Sequence, residues 1–473
     1  MTRVGRQLTT GALVAGMALA VAADDTADLK KELEALKAKV QALEAKPATA
    51  GVVPVAAPQA VAKDPMPTPQ APPGPGAGDS AGKTLEWVKD IKVYGFVDVG
   101  YTYNFMNPGN HLNGRFGSAT TNLGVAPGTA GGSARAFDQR ANSFVVNNVQ
   151  IDLERAATWS PSKSNDSIVG FKAEFTTGRD ATVLSGTEAW PSGVDQFEVQ
   201  EAYIQFIVPV GNGIDIRAGK MATLSGYEVI ERKDDMNYSG SYLFTFAIPF
   251  THTGIRASYQ IIDPVKVTLG VNNGWNFVDD NNEAKTLEFQ LALTPTIWDK
   301  QWLQFYTTIY WGTERTPSVG VISPLAATST GDHRFLMDYV LNLTPVENWT
   351  FGLNFDWGVD QNAIGASTDA KWRGEAIYVK YQLWDWYAIA LRSELFSDQN
   401  GYTTSGFSAA AGIPAGPKQK LWEFTMTHEF KIAERVIVRL EYRHDKSDKN
   451  TFLEDLTPKS TQDTIAMEAI FPF

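Results

Sequence analysis

The stretch Ile91–Phe105 limits the possible folds most. Its odd positions, Ile91, Val93, Gly95, Val97, Val99, Tyr101, Tyr103 and Phe105, are almost unbrokenly apolar and end in aromatics. Its even positions, Lys92, Tyr94, Phe96, Asp98, Gly100, Thr102 and Asn104, carry charge, hydroxyl and amide. A period of two defines a strand whose two faces meet different surroundings. A strand in a soluble sheet alternates for about five or six residues. This one continues much longer, as a tilted strand crossing a membrane does. No apolar run reaches the roughly 18 residues that a spanning helix needs. A hydrophobic content of 43% and a mean hydropathy of −0.20 suit a barrel, in which only alternate residues meet lipid. The expected fold is all-β: a transmembrane antiparallel β-barrel built from copies of this strand.

Alternating segments recur to the C-terminus, from 91–105 through 197–208, 349–358 and 435–444 to 463–473, about sixteen in all, the even number of a single-chain bacterial barrel. The connections alternate in length. Short ones include Pro209–Asn212, Ile262–Pro264, Pro295–Lys300, Thr344–Asn348, Trp384–Asp385 and Ala433–Glu434. Long ones include 106–142, 178–196, 221–251, 273–284, 312–332, 359–373, 397–419 and 445–462. Short turns on one rim and long loops on the other is the outer-membrane pattern. Both termini fall on the short-turn rim, which places them in the periplasm of a Gram-negative-type bacterium. The final Phe473 ends an apolar alternation, Ile465, Met467, Ala469, Phe471, that resembles the signal read by the barrel assembly machinery.

Four segments are expected. Residues 1–22 read as a secretory signal: Arg3 and Arg6, an apolar core from Gly11 to Leu19, and the cleavage site Ala20-Val21-Ala22. Residues 23–46 read as a short coiled coil, with Leu29, Leu33, Leu36, Val40 and Leu43 on one seam. Its flanking pairs Asp25–Lys30, Glu32–Lys37 and Lys39–Glu44 are opposite in sign and favour a parallel self-association. Residues 47–82 form a Pro/Ala-rich linker, at about 3.1 Å per residue long enough to reach on the order of 100 Å, toward the cell wall. Residues 83–473 form the barrel.

Composition excludes several classes. There is no cysteine, hence no disulfide, thiolate metal site or covalent haem of the chain's own. A net charge of −12 argues against nucleic acid as a partner. The run Asp279-Asp280-Asn281-Asn282-Glu283 lacks the spacing and glycine of a calcium loop and reads as a solvated acidic loop. Ala77–Thr84 imitates a phosphate loop, but a proline linker precedes it where a strand is needed. No hydrolase or dinucleotide signature occurs, so neither catalytic residues nor cofactors are assigned.

The central block runs EAYIQFIVPVGNGIDIRAGKMATLSGYE at 201–228, YLFTFAIPFTHTGIRASYQ at 242–260 and VTLGVNNGWNFVDDNN at 267–282. Together these resemble the OmpL-like β-barrel porin family, over about 94–473. The resemblance implies an outer-membrane barrel and brings no ligand residues with it. Trimeric sugar and phosphate porins with N-terminal coiled coils are an architectural analogy.

Counting phase from the apolar face puts Asp98, Gln150, Asp152, Glu174, Arg217, Arg256, Glu288, Arg392, Glu394, Arg439, Glu441 and Arg443 on the inner wall. Charges of both signs there would bias ion and solute passage. The loop Met221–Thr251 carries Glu228, Glu231, Asp234 and Asp235, and also the very apolar run Tyr242–Phe250. Water would not tolerate that run, so packing against the inner wall is expected, as in sixteen-stranded general porins whose corresponding loop folds inward. The expected constriction sets Glu231, Asp234 and Asp235 against Arg256, Arg392, Arg439 and Arg443, with Asp98 and Arg217 lining the pore. The reading is a porin for passive diffusion of ions and small hydrophilic solutes, embedded in outer-membrane lipid as a homotrimer. The alternatives are a barrel enzyme, such as a lipase or protease, and a structural barrel that tethers the envelope or sheathes a partner such as a cytochrome.

Overall fold

A computed structural model describes residues 88–113, 135, 137–160, 167–187, 196–280, 282–298, 300–314, 332–364, 368–405, 418–433 and 435–473. The signal, coiled coil and linker expected over 1–82 lie outside the described residues. The strands are β1 (Lys92–Asn104), β2 (Ser143–Arg155), β3 (Val169–Thr177), β4 (Phe197–Val208), β5 (Ile214–Ala222), β6 (Thr251–Ile262), β7 (Val265–Asn272) and β8 (Thr286–Leu293). They continue as β9 (Leu303–Gly312), β10 (Arg334–Leu343), β11 (Trp349–Asp360), β12 (Ala370–Trp384), β13 (Tyr387–Asp398), β14 (Gln419–Ile432) and β15 (Val436–Ser447). A small hairpin, β16 (Phe452–Glu454) and β17 (Thr457–Lys459), precedes the last strand, β18 (Thr461–Pro472). All but β16 and β17 close into one antiparallel barrel, in which β18 pairs with β15 on one side and β1 on the other. Closure leaves no unpaired edge, which a lipid surround requires.

The sequence phase survives into the structure. On β11, Thr350, Asn354, Asp356 and Asp360 are buried inward, while Leu353, Phe355 and Trp357 are exposed outward. Besides irregularities beside short turns at Gln260/Ile262 and Gln382/Trp384, two β-bulges farther into the strands shift this phase. The register of β1 on β2 slips at Asp98/Val99, so Asn147 and Asn148 both turn inward and are buried. The register of β3 on β4 slips at Glu174/Phe175, with the same result for Gln200 and Glu201. Outward tryptophans stand near both rims: Trp349, Trp384 and Trp386 by the short turns, Trp311, Trp357 and Trp422 toward the long loops. Such girdles suit the polar boundaries of a bilayer.

Three elements lay beyond the sequence reading: α1 (Arg179–Thr187), α2 (Tyr242–Phe246) and the β16–β17 hairpin. All sit in long-rim connections. The short rim also has an exception, because 156–168 joins β2 to β3 through a segment as long as some outer loops.

Candidate functional site

The segment 223–250 leaves β5 and returns to β6, its neighbour, yet its contacts are with the far wall. Gly226 N–H donates to Asp338 of β10 at 3.1 Å, and Tyr227 N–H to Asn354 of β11 at 3.2 Å. Asn237 donates to Thr427 of β14 at 2.7 Å, and Tyr238 N–H to Glu441 of β15 at 2.7 Å. A chain can touch all of these only by crossing the bore. Between Ser225 and Phe250 every residue is buried except Lys233, Asp234 and Asp235, which keep partial exposure.

Two different surfaces hold the segment. Over β9–β14 the inner wall carries an apolar patch among its polar groups. Tyr306, Tyr310, Leu336, Val340, Trp372, Tyr378, Phe396 and Leu421 form one buried cluster with the segment's Tyr227, Ile230, Tyr242, Leu243, Phe244, Phe246, Ile248 and Phe250. Fully burying each such side chain contributes about 1.5–3 kcal/mol, so the apolar run is explained by the wall it meets. Tyr227 stacks on Tyr378 with ring centroids 4.1 Å apart. Inward glycines make the fit possible: a Cβ on Gly352 would lie 2.2 Å from the Tyr227 ring, and one on Gly374 would lie 2.5 Å from Leu243.

Over β13–β18 the wall is charged, and it serves the segment's backbone. Glu394 accepts from the N–H groups of Tyr242 (2.5 Å) and Leu243 (3.0 Å) at the start of α2, while Ser241 caps the same turn. Glu441 accepts from Tyr238 N–H and Ser239 N–H. Arg439 donates to the carbonyls of Arg232 (2.9 Å) and Asp235 (2.6 Å), and Arg443 to that of Gly240 (2.6 Å). A buried segment with only one short helix must have its remaining peptide groups met this way.

The charged residues expected at the constriction have the following partners. Arg392 pairs with Glu228 at 2.7 Å and with Glu423 of β14 at 3.0 Å. Arg439 pairs with Glu429 and Glu468, and Arg443 with Asp445, all on the wall. Arg256 forms a two-point bond to Glu288 and reaches the carbonyl of Ala222. The segment's own acids turn elsewhere: Asp235 accepts from Val229 N–H at 3.0 Å, Asp234 pairs with Lys233 at 2.6 Å, and Glu231 accepts from Gln200 at 3.2 Å. Asp98 is buried inward and accepts from Asn147 at 3.1 Å. Arg217 points inward near the short-turn end of β5, paired with Asp215 at 3.0 Å and lying over the Tyr203 ring. Glu228, Glu423 and Asp445 were not among the expected pore residues, and only the path of the segment brings them into play.

Glu174, Glu201 and Glu231 converge, with one carboxylate oxygen of each within 4.8 Å of the others. Lys172 donates to Glu174 and Glu201, and Gln200 to Glu174 and Glu231, so an ammonium and an amide already serve these carboxylates. At the other side of the segment, Arg232 lies 3.8 Å from Asp180 of α1. Burial pushes the Asp180 carboxyl up to about 7, partly opposed by Arg232. In the acidic run, Asp280 is bonded by Lys285 and by Asn282 N–H.

A family model described as "Putative beta-barrel porin-2, OmpL-like" matches residues 90–473. The chain belongs to this OmpL-like porin family. It is therefore an outer-membrane β-barrel of porin type, as the outward apolar belt requires. No curated protein matches the sequence. Among solved structures, OmpF of Salmonella typhi, determined with daunomycin, superposes with a TM-score of 0.50 at 11% identity, covering 81% of this chain and 99% of that one. The anion-selective porin of Comamonas acidovorans (TM-score 0.49, 11% identity, 81% and 99% covered) is similar. So is the channel DcaP of Acinetobacter baumannii (0.48, 11%, 81% and 97%). At such identity the likeness is one of fold. The bore of this OmpL-like barrel is narrowed at the level of the segment, where Arg392, Arg439, Arg443, Glu423 and Glu468 are all fully buried.

Proposed function

We propose that the protein is a passive outer-membrane channel for ions and small hydrophilic solutes, and that segment 223–250 sets its bore. The observation that carries this is the segment's path across the lumen, tied on one side to apolar wall and on the other to charged wall. The mixed charges Lys233, Asp234 and Arg217 line what remains of the route, while Asp98 is buried in the wall beside it. Arg256 ties Glu288 to the end of β5, and the arginines Arg392, Arg439 and Arg443 fix the segment together with Glu231 and Asp235. The short-turn rim and both termini face the periplasm. The coiled coil over 23–46 joins the barrels into a homotrimer, and the channel performs no chemistry. The sheath alternative finds no support here, because the chain's own segment takes the space that a threaded partner would need.

Planar-bilayer recording with a salt gradient tests this reading. Stable small-conductance steps with a reversal potential set by the lumen charges are expected. A folded barrel that carries no current would overturn it.

A further inference from the structure

On the outside of the barrel, over β9–β14, the wall is hollowed. A cavity of about 680 Å³ opens there, lined by Phe305, Tyr339, Leu353, Ile377, Leu395 and Trp422. Its floor is low because Ser393, between Ile377 and Phe424 in register, is the small residue of the outward row and turns its hydroxyl to the carbonyl of Glu423. One carboxylate, Glu375, borders it. Toward the long-loop rim stand three exposed cations: Arg373 on β12, Lys420 on β14 and Lys446 on β15. Arg373 and Lys420 both pair in register with Ser397, from opposite sides, so they are two strands, roughly 10 Å, apart. Lys446 pairs with Trp422, one pleat from Lys420. Among the described residues none of the three has an ion pair, whereas nearby Lys371 has Asp369 at 3.4 Å.

We propose that this face binds a phosphorylated lipid of the outer leaflet, one acyl chain lying in the hollow and the headgroup phosphate held by Arg373, Lys420 and Lys446. The inference rests on the outer-membrane placement with the long-loop rim outward. Cations above an apolar, aromatic-edged trough match the charge and polarity of an anionic lipid end to end. Arginine supplies the planar fork that a phosphate accepts in two-point fashion, and the lysines supply point charges.

The test uses the full chain in neutral detergent, with bis-phosphorylated lipid A as the probe, read by native mass spectrometry. The R373A/K420A/K446A variant is expected to lose at least fivefold in lipid occupancy. Ser393→Trp, which fills the hollow and leaves the cations in place, is expected to lose a similar amount. Unchanged occupancy in both variants overturns the proposal. So does displacement of lipid by inorganic phosphate at equal concentration, which would deny the acyl chain any part. Disulfide dimers of an Ile377→Cys variant in membranes would assign the hollow to a second copy and overturn it too. Conductance is read on the same samples: lipid bound without current supports this site and counts against the channel, and current without lipid does the reverse.

Discussion

Arg392 joins the barrel wall to the segment inside it: Nη1 meets Glu228 at 2.7 Å while Nε meets Glu423 at 3.0 Å. The same guanidinium donates to the Ser239 carbonyl, so one side chain of β13 holds two points of the segment. Replacing it with alanine leaves the buried Glu228 without its cation and Glu423 with Arg443 alone, 3.7 Å away, a loss of about 3–5 kcal/mol for a broken buried pair. Arg392→Ala is expected to lower the thermal midpoint and to add noisy, larger openings to single-channel records. Arg392→Lys is expected to rescue poorly, since an ammonium cannot reproduce the fork.

Ser239 reports on whether the segment stays inside. It is buried, with its N–H on Glu441. The chain has no cysteine, so a single Ser239→Cys can be labelled cleanly. It should react with a water-soluble maleimide at least tenfold more slowly than Lys449→Cys, which is exposed. Adding Glu441→Ala removes the acceptor of two segment N–H groups and should close most of that gap.

Gly352 tests the apolar side. A Cβ there would fall 2.2 Å from the Tyr227 ring. Gly352→Val is therefore expected to displace the stacked tyrosines, at about 1–3 kcal/mol for overpacking, and to raise conductance while the barrel still forms. Calorimetry and bilayer recording on the same preparation check both parts.

Asp180 gives the pH dependence. Its folded value is about 7 against an ordinary 3.8, because burial disfavours the charged form. The folded state therefore holds the proton more tightly than the unfolded one. Stability from this group is full below the ordinary value and is lost as pH rises through about 7. The thermal midpoint should fall between about pH 5 and pH 8, and Asp180→Asn, neutral throughout, should flatten that part of the profile.

The barrel was legible because lipid and lumen each see alternate residues, so the strand phase is written in the chain. Asp98, Arg392, Arg439 and Arg443 could be placed inward from that phase alone. The bulges at Asn147 and Gln200 could not, since an extra residue in one strand shows only against its partner. The Tyr242–Phe250 run signalled that the loop must hide, and it does. Its partners stayed unread because inward Tyr306, Trp372 and Phe396 look like any other apolar residues until the segment lies on them. The pairing of Arg392 with Glu228, and the use of backbone carbonyls by Arg439 and Arg443, depend on a path through space that no local spacing encodes. The shared carboxylate cluster of Glu174, Glu201 and Glu231 is of the same kind.

The central claim is that 223–250 lies within the bore and limits it. Deleting 229–239 and recording single channels in planar bilayers tests it most directly. The account predicts a conductance several times that of the full chain, with the barrel still resistant to detergent unfolding at room temperature. A conductance equal to that of the full chain would contradict it.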